Sequence, residues 1–339
     1  MELQKTSKSH FPANKLNLVP IDDLPINDML IDSSIRNALM KKIRYHIEGL
    51  AENSQLAFRS DMGVFLNWCR EHNHQAIPVS PQVFRKFLLM EAHDKSPATI
   101  LRRVATVNKI HKLADCKPLT EYPEVVSALK VIQEYSSYEK KQAESARYKQ
   151  IQTISALIDK DRLLDVRDYA VLQFAYSTLL RRSEVAKVQV EHFEYDPETR
   201  DGLVKIDKIK SKKGVRDTHY AYLSEQACFW LMRWLKLSGI KEGYIFRSLT
   251  RYETLRPRSL DGRGISSAIN RMGLYLGDDF HFTGHSTRIG AAQDMVSSGI
   301  ETTKAMNAGR WRDHKTFIGY VAKLNVKENG MAEFFRKQH

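Results

Sequence analysis

A few polar side chains, set into otherwise apolar helical text, are suited to one kind of chemistry. His285 and Arg288 stand i and i+3 apart in GHSTRIGAAQDMVSSG, which reads as a helix opening beside Gly284 and Ser286 with both side chains on one side of its first turn. A helix N-terminus attracts anions, and two cationic or donor side chains added to its free backbone N–H groups make a seat for phosphate. A second short helix, ETTKAMNAG, leads to Trp311, and Tyr320 follows nine residues later in the helical text DHKTFIGYVAKL. A tyrosine oxygen can attack phosphorus and form a covalent link once its proton is removed. Upstream, Arg181 and Glu184 lie one helical turn apart where AYSTLL runs into RRSEV. Alone they would be a surface pair capping a core helix.

The combination says more than any member. T-L-L-R-x-x-E, then G-H-S-x-R-x-G-A-A-x-D-M, then G-x-W and a tyrosine nine residues on, cover most of the second half of the chain. Together they resemble the tyrosine recombinases, the phage integrase family, and among them the Cre-type site-specific recombinases. The resemblance implies a mainly α fold with a small antiparallel β-sheet: an all-helical N-terminal core DNA-binding domain and an α+β catalytic domain, forming a C-shaped clamp around DNA. It implies a catalytic set of Arg181, Glu184, His285, Arg288, Trp311 and Tyr320, joined by a lysine on a β-hairpin. In KIDKIKSKKG that lysine aligns best with Lys210, and Lys212 is the alternative.

The roles follow from the side chains. Arg181 and Arg288 can each donate twice to phosphoryl oxygens, His285 can act as base or donor, and Trp311 can offer its indole N–H. Lys210 can protonate the departing 5′ oxygen, and Glu184 orients its neighbours. The product would be a 3′-phosphotyrosine link that conserves bond energy, so rejoining needs no ATP. Neither a G-x-x-x-x-G-K-[ST] loop nor a clustered carboxylate site is visible, and neither cofactor nor metal is expected. Two other readings share parts of this pattern: a type IB topoisomerase or telomere resolvase, and a sequence-specific DNA-binding protein without catalysis.

Composition agrees with a nucleic-acid partner. The 339 residues suffice for about two domains, 42% are hydrophobic and 27% charged, and the formal net charge is +13. A positive excess of this size favours nucleic acid or an anionic membrane. No apolar run approaches a membrane span and MELQKTSKSHFPANK has no apolar signal-peptide core, so the expectation is a cytoplasmic, bacterial or phage-type protein without a membrane partner. Cys69, Cys116 and Cys228 are scattered, without C-x-x-C spacing, and read as reduced thiols.

In chain order, residues 1–33 read as a mobile tail with Pro12, Pro20 and Pro25. Residues 34–138 read as a domain of about five helices, with Ser54 opening the second, Ser80-Pro81 and Ser96-Pro97 the next two, and a last one after Pro123. Residues 139–150 form a charged linker and 151–339 the catalytic domain, in which LLDVRDYAVLQFAYSTLL is a buried central helix. HFEYD, LVKIDKI and VRDTHYAYL read as an antiparallel meander. Ser224 caps a helix whose Trp230 and Trp234 are core and which Gly239 closes, and RSLTRYETLRPRSLDGRG reads as a polar loop. Position within the resembled fold makes Thr99, Arg102 and Arg103, with Arg59 behind them, the candidates for groove contacts in the first domain. Arg263 and Ser266 are the candidates in the second. Near the end, Met331, Phe334 and Phe335 form an apolar edge too short to be stable alone. In the resembled family such a tail helix enters a neighbouring protomer. The expected partner is then double-stranded DNA with paired half-sites, bound by a homodimer on one site and a homotetramer in the synaptic complex.

Overall fold

The computed structural model describes residues 31–136, 143–210, 216–322, 334–335 and 338. The tail over 1–30, residues 139–142 of the charged linker, Lys212 and Met331 lie outside the described residues. The chain divides into two units, Met1–Lys141 and Gln142–His339.

The first unit is helical. It contains α1 (Ser33–Glu48), α2 (Glu52–Glu71), α3 (Pro81–Glu91), α4 (Pro97–Leu113) and α5 (Pro123–Tyr135). Ser80 and Ser96 cap as their sequence context predicts: each hydroxyl accepts the N–H three residues on, from Val83 at 3.3 Å and from Thr99 at 3.2 Å. Proline at the first helical position then costs nothing, because its missing N–H would have been unpaired there. Ser54 does not cap α2. That helix starts two residues earlier, with Ala51 at the cap and no side-chain bond to close it. Phe65 meets Phe84 and Phe87 edge-to-face, with ring centroids 5.7 and 5.1 Å apart, and these rings anchor the core.

The second unit is built round α7. After α6 (Tyr148–Leu157), α7 (Leu163–Thr178) is buried on nearly every side. Its burial includes charge, which the apolar text around it obscured: Asp168 is fully enclosed between Arg167, at 2.7 Å, and Arg271, at 2.6 Å. Buried charge survives when it is paired in this way. After α8 (Arg182–Val185) come β1 (Phe193–Tyr195), β2 (Gly202–Lys210) and β3 (Arg216–Leu223), an antiparallel meander in the order β1-β2-β3 with Leu203 opposite Tyr222 and Lys210 opposite Arg216. α9 (Glu225–Ser238) is capped by Ser224 and closed by Gly239 at φ +67°, a left-handed turn that glycine takes without strain. Its Trp230 and Trp234 are core, as expected.

The stretch expected as a polar loop is instead a small hairpin, β4 (Arg247–Leu249) and β5 (Leu255–Ser259), paired antiparallel. Its side chains are mostly half or fully exposed, so no alternation of apolar residues announces it. Backbone pairing and a turn closed from Thr250 N–H to the Thr254 carbonyl hold it instead. α10 (Gly262–Leu274), α11 (Ser286–Ser297), α12 (Thr302–Ala308) and α13 (His314–Val321) complete the described fold.

Candidate active site

α7 delivers the first arginine by an abrupt turn. Leu179 follows it with φ +55°, a left-handed conformation that costs a residue with a Cβ. The turn aims the Leu179 carbonyl at Arg288, whose Nη1 donates to it, and places Arg181 at the cap of α8. There Glu184 accepts the Arg181 backbone N–H at 2.8 Å and its Nη1 at 3.3 Å. Glu184 therefore holds both the backbone and the guanidinium of Arg181.

α11 carries His285 at its cap and Arg288 one turn in. Arg288 is buried, 2% exposed. Its Nη2 donates to the Gly309 carbonyl at 2.9 Å, and the guanidinium lies over the Trp311 ring, 4.7 Å from its centroid. Two carbonyls and a ring face thus lock the group while leaving other N–H donors of its fork unused. Gly309 permits this approach, since a Cβ there would fall 2.0 Å from the Trp311 ring.

Tyr320 sits near the end of α13 with its backbone carbonyl held by Gln293 of α11 at 3.0 Å. Its ring meets His285 and Trp311 edge-to-face, with centroids 6.4 and 5.9 Å apart. A small apolar cluster, with Leu179, Ala291, Ala292, Ala305, Trp311 and Phe317 at its centre, supports the tyrosine from behind. The Trp311 Nε1 is buried with no acceptor, the state of a donor whose partner arrives with a ligand.

The field here is positive. Burial first, then the charge of Arg181, pushes the Arg288 pKa down to about 10. Desolvation, with the charges of Arg288, Arg182 and Arg181, holds His285 below its ordinary value, so at neutral pH it is an uncharged imidazole able to take a proton. A cavity of ≈ 580 Å³ opens beside these groups, lined by Arg181, His219, Met306, Arg310, Trp311 and Thr316 among others. Neither His219 nor Arg310 was singled out from the sequence. The signal for Arg310 was a cation inside G-R-W, next to a residue already expected to bind phosphate.

The expected phosphate seat at the mouth of α11 needs correction. The backbone N–H groups of Gly284, His285 and Ser286 are occupied by Ser266 Oγ at 3.0 Å, Thr283 Oγ1 at 3.2 Å and the Thr283 carbonyl at 3.0 Å. These three N–H groups are therefore not free to hold an anion. Ser266 is thereby a tether for the His285 loop, whereas its position suggested a groove contact. Tyr275 donates to Asp165 at 2.5 Å, and burial with that carboxylate raises its pKa to about 12, so this second tyrosine is engaged elsewhere. Lys210 ends β2 opposite Arg216, on the hairpin that was expected to carry it.

In the first unit the candidates separate. Arg103 is 8% exposed and turned inward to Asp61 and Glu91, so it is an internal cation and not a groove contact. Arg102 grips the fully buried Asp61 with two 2.8 Å bonds, yet stays half exposed. Thr99 lies in the first turn of α4 beside its capping serine, and Arg59 is half-buried on α2. Arg263 is exposed in the first turn of α10. Phe334 and Phe335 are 52% and 57% exposed. Among the described residues no helix is long and apolar enough to cross a membrane, and no cluster of His, Cys, Asp and Glu could hold a metal ion.

Comparison with known proteins gives one consistent result. The phage integrase family matches residues 144–326. The chain is 24% identical over 323 residues to an integrase/recombinase xerD homolog of Selenomonas ruminantium, across 92% of this chain and 94% of that protein. It is 26% identical over 288 residues to the recombinase cre of Escherichia phage P1, across 78% of this chain and 82% of that protein. The fold superposes on a XerH site-specific recombinase bound to a palindromic difH substrate with a TM-score of 0.61, at 12% identity and across 93% of this chain and 92% of that one.

Proposed function

The chain belongs to the phage integrase family of tyrosine recombinases, and from that premise we propose that it is a site-specific DNA recombinase whose nucleophile is Tyr320. The observation that carries the assignment is the convergence of Tyr320, His285, Trp311 and Arg288, through ring contacts of 6.4 and 5.9 Å and a guanidinium 4.7 Å above the indole, beside Arg181.

The Tyr320 oxygen attacks phosphorus as uncharged His285 takes its proton. Arg181 and Arg288 stabilise the charge that develops on the phosphorane, and the buried Trp311 Nε1 donates to a phosphoryl oxygen. The P–O5′ bond breaks and Lys210 protonates the departing oxygen. A 3′-phosphotyrosine remains, and attack by a second 5′-hydroxyl reverses the steps. Arg59, Thr99 and Arg102 in the first unit and Arg263 in the second contact the DNA. The occupied sites are paired half-sites, with two protomers on each and four in the synaptic complex, linked through the segment carrying Met331, Phe334 and Phe335. Cooperative filling of paired half-sites in a gel shift supports this assembly, and independent filling argues against it.

The chemistry is tested with Tyr320→Phe. The variant should bind DNA as the wild type does and form no covalent adduct in a denaturing gel, because the hydroxyl alone supplies the nucleophile. An adduct that persists in the variant removes Tyr320 from the role. Supercoiled DNA with two sites then separates the neighbouring activities: exchanged segments mark a recombinase, and relaxation alone marks a topoisomerase.

A further inference from the structure

We propose that Arg310 is a third guanidinium of the phosphate site, whose Nη1 donates directly to a non-bridging oxygen of the scissile phosphate. The proposal rests on the recombinase reading above and adds a catalytic residue to it.

The backbone is the first observation. Arg310 stands at φ +55°, in the left-handed region that glycine occupies freely and a residue with a Cβ resists. Glycine would be the unstrained choice between Gly309 and Trp311. Strained positions of this kind cluster where a side chain is needed for function.

The side chain gives the second observation. Only 15% exposed, it folds back so that Nη2 donates to Glu184 Oε2 at 2.8 Å. The same carboxylate holds Arg181 through its other oxygen, so Glu184 bridges two guanidiniums and sets them side by side. Arg310 Nη1 is buried with no acceptor. A buried guanidinium nitrogen left unpaired is costly, which distinguishes Arg310 from an ordinary partner of Glu184. It lines the same cavity as Arg181 and Trp311, and the Trp311 Nε1 is likewise buried without an acceptor. Two adjacent residues therefore each bring an unused donor to one site.

Charge supplies the third. Arg181, Arg288 and Arg310 against Glu184 make three positive groups and one negative, a net of two positive charges. A phosphodiester carries one negative charge and its pentavalent phosphorane two. The phosphorane carries one negative charge more than the phosphodiester, and a further cation facing the oxygens where that charge develops stabilises the transition state more than the ground state, which is what accelerates a reaction.

The test uses the full chain and single-turnover cleavage of a DNA site nicked so that the released fragment diffuses away. Wild type, Arg310→Gly and Arg310→Gln are each given the phosphodiester and the two methylphosphonate diastereomers, in which one non-bridging oxygen of the scissile phosphate is replaced by an uncharged methyl group. Glycine relieves the backbone strain and glutamine keeps part of the packing, so a loss common to both reports the missing cation. Both variants should cleave the phosphodiester roughly tenfold or more slowly, as when a single oxyanion donor is removed. On the diastereomer lacking the oxygen that Arg310 contacts, the variants should fall within about threefold of wild type, because the contact no longer exists to be lost. An equal loss on all three substrates would mean that Arg310 acts only by holding Glu184, and no loss on the phosphodiester would mean that it has no part in cleavage; either overturns the proposal. A wild type that forms no adduct would instead sink the recombinase reading, which is a different result.

Discussion

Gly290, two residues after Arg288, shows how closely the α11 helix depends on the chain that crosses it. A Cβ built there would stand 1.9 Å from the Ala146 carbonyl oxygen and 2.4 Å from its carbon, so backbone and not a pliable side chain is in the way. By helix propensity alone Gly290→Ala should stabilise an α-helix by about 1 kcal/mol. The structure predicts the opposite sign. To admit the methyl group the segment at Ala146 must lift, which disturbs the Ala146 N–H bond to the Ser286 carbonyl at 3.0 Å and the Arg147–Asp294 bridge at 2.5 Å. Overpacking costs about 1–3 kcal/mol, the hydrogen bond about 0.5–1.5 kcal/mol, and the part-exposed ion pair about 0–1 kcal/mol. Set against the propensity gain, a net loss of about 0.5–4.5 kcal/mol follows, or roughly 1–18 °C in Tm for a unit of this size. Three of the four tryptophans, Trp230, Trp234 and Trp311, lie in the second unit, so tryptophan fluorescence during thermal or urea unfolding of the whole chain follows it. A Tm that stays level or rises would refute the reasoning, since it would mean that the crossing segment does not press on α11.

Two further outcomes are expected in the first unit. Asp61→Asn should destabilise it by about 3–5 kcal/mol, because it removes the fully buried carboxylate from between Arg102 and Arg103 and leaves Arg103 enclosed; urea unfolding measures this, and a change under about 1 kcal/mol would show that Glu91 suffices. His111 is buried, its Nε2 accepts the Val79 N–H at 3.3 Å, and burial holds its pKa below the ordinary value. The unfolded chain therefore binds a proton that the folded chain refuses. The contribution is fully present above about pH 6.5 and is lost as pH falls toward the folded pKa, with a slope of up to about 1.4 kcal/mol per pH unit. Stability curves of wild type and His111→Gln should converge on acidification, and curves that remain parallel would exclude His111 as the cause.

What the sequence disclosed and what it hid divide along physical lines. Caps at Ser80, Ser96 and Ser224 are local, so three or four residues suffice to read them, and linked motifs single out Arg181, His285, Arg288, Trp311 and Tyr320 as candidates that the fold brings near one another. Arg103 was misjudged because its partner Asp61 lies on another helix and only tertiary structure joins them. A signal was available: Ile100, Val104, Val107 and Ile110 are the buried face of α4, and Arg103 falls within that face. The β4–β5 hairpin has no apolar period to detect, and the tether from Ser266 to Gly284 spans two elements. Positive φ at Leu179 and Arg310 is equally silent in sequence, since neither residue type signals a left-handed turn.

Those two strained residues bear on the same group. Leu179 turns left-handed and its carbonyl receives Arg288 Nη1; Arg310 turns left-handed directly after Gly309, whose carbonyl receives Nη2. The guanidinium is thus clamped between two backbone segments, each of which departs from the relaxed backbone beside the bond it makes. Burial and the charge of Arg181 both oppose its protonation, and the fold still leaves its pKa at about 10, well above neutral. Arg288 consequently remains a cation in a site that penalises cations, and the penalty is met before DNA arrives. A phosphate entering such a site meets fixed donors that need no reorganisation, and its negative charge relieves a repulsion already present. Electrostatic stabilisation is largest under these conditions, because the developing charge of the phosphorane is met by groups that were never free to turn away. On the proposed mechanism the rigidity of α7 and α11 is part of the chemistry, and a methyl group at Gly290, which touches no substrate, should then register in cleavage as well as in stability.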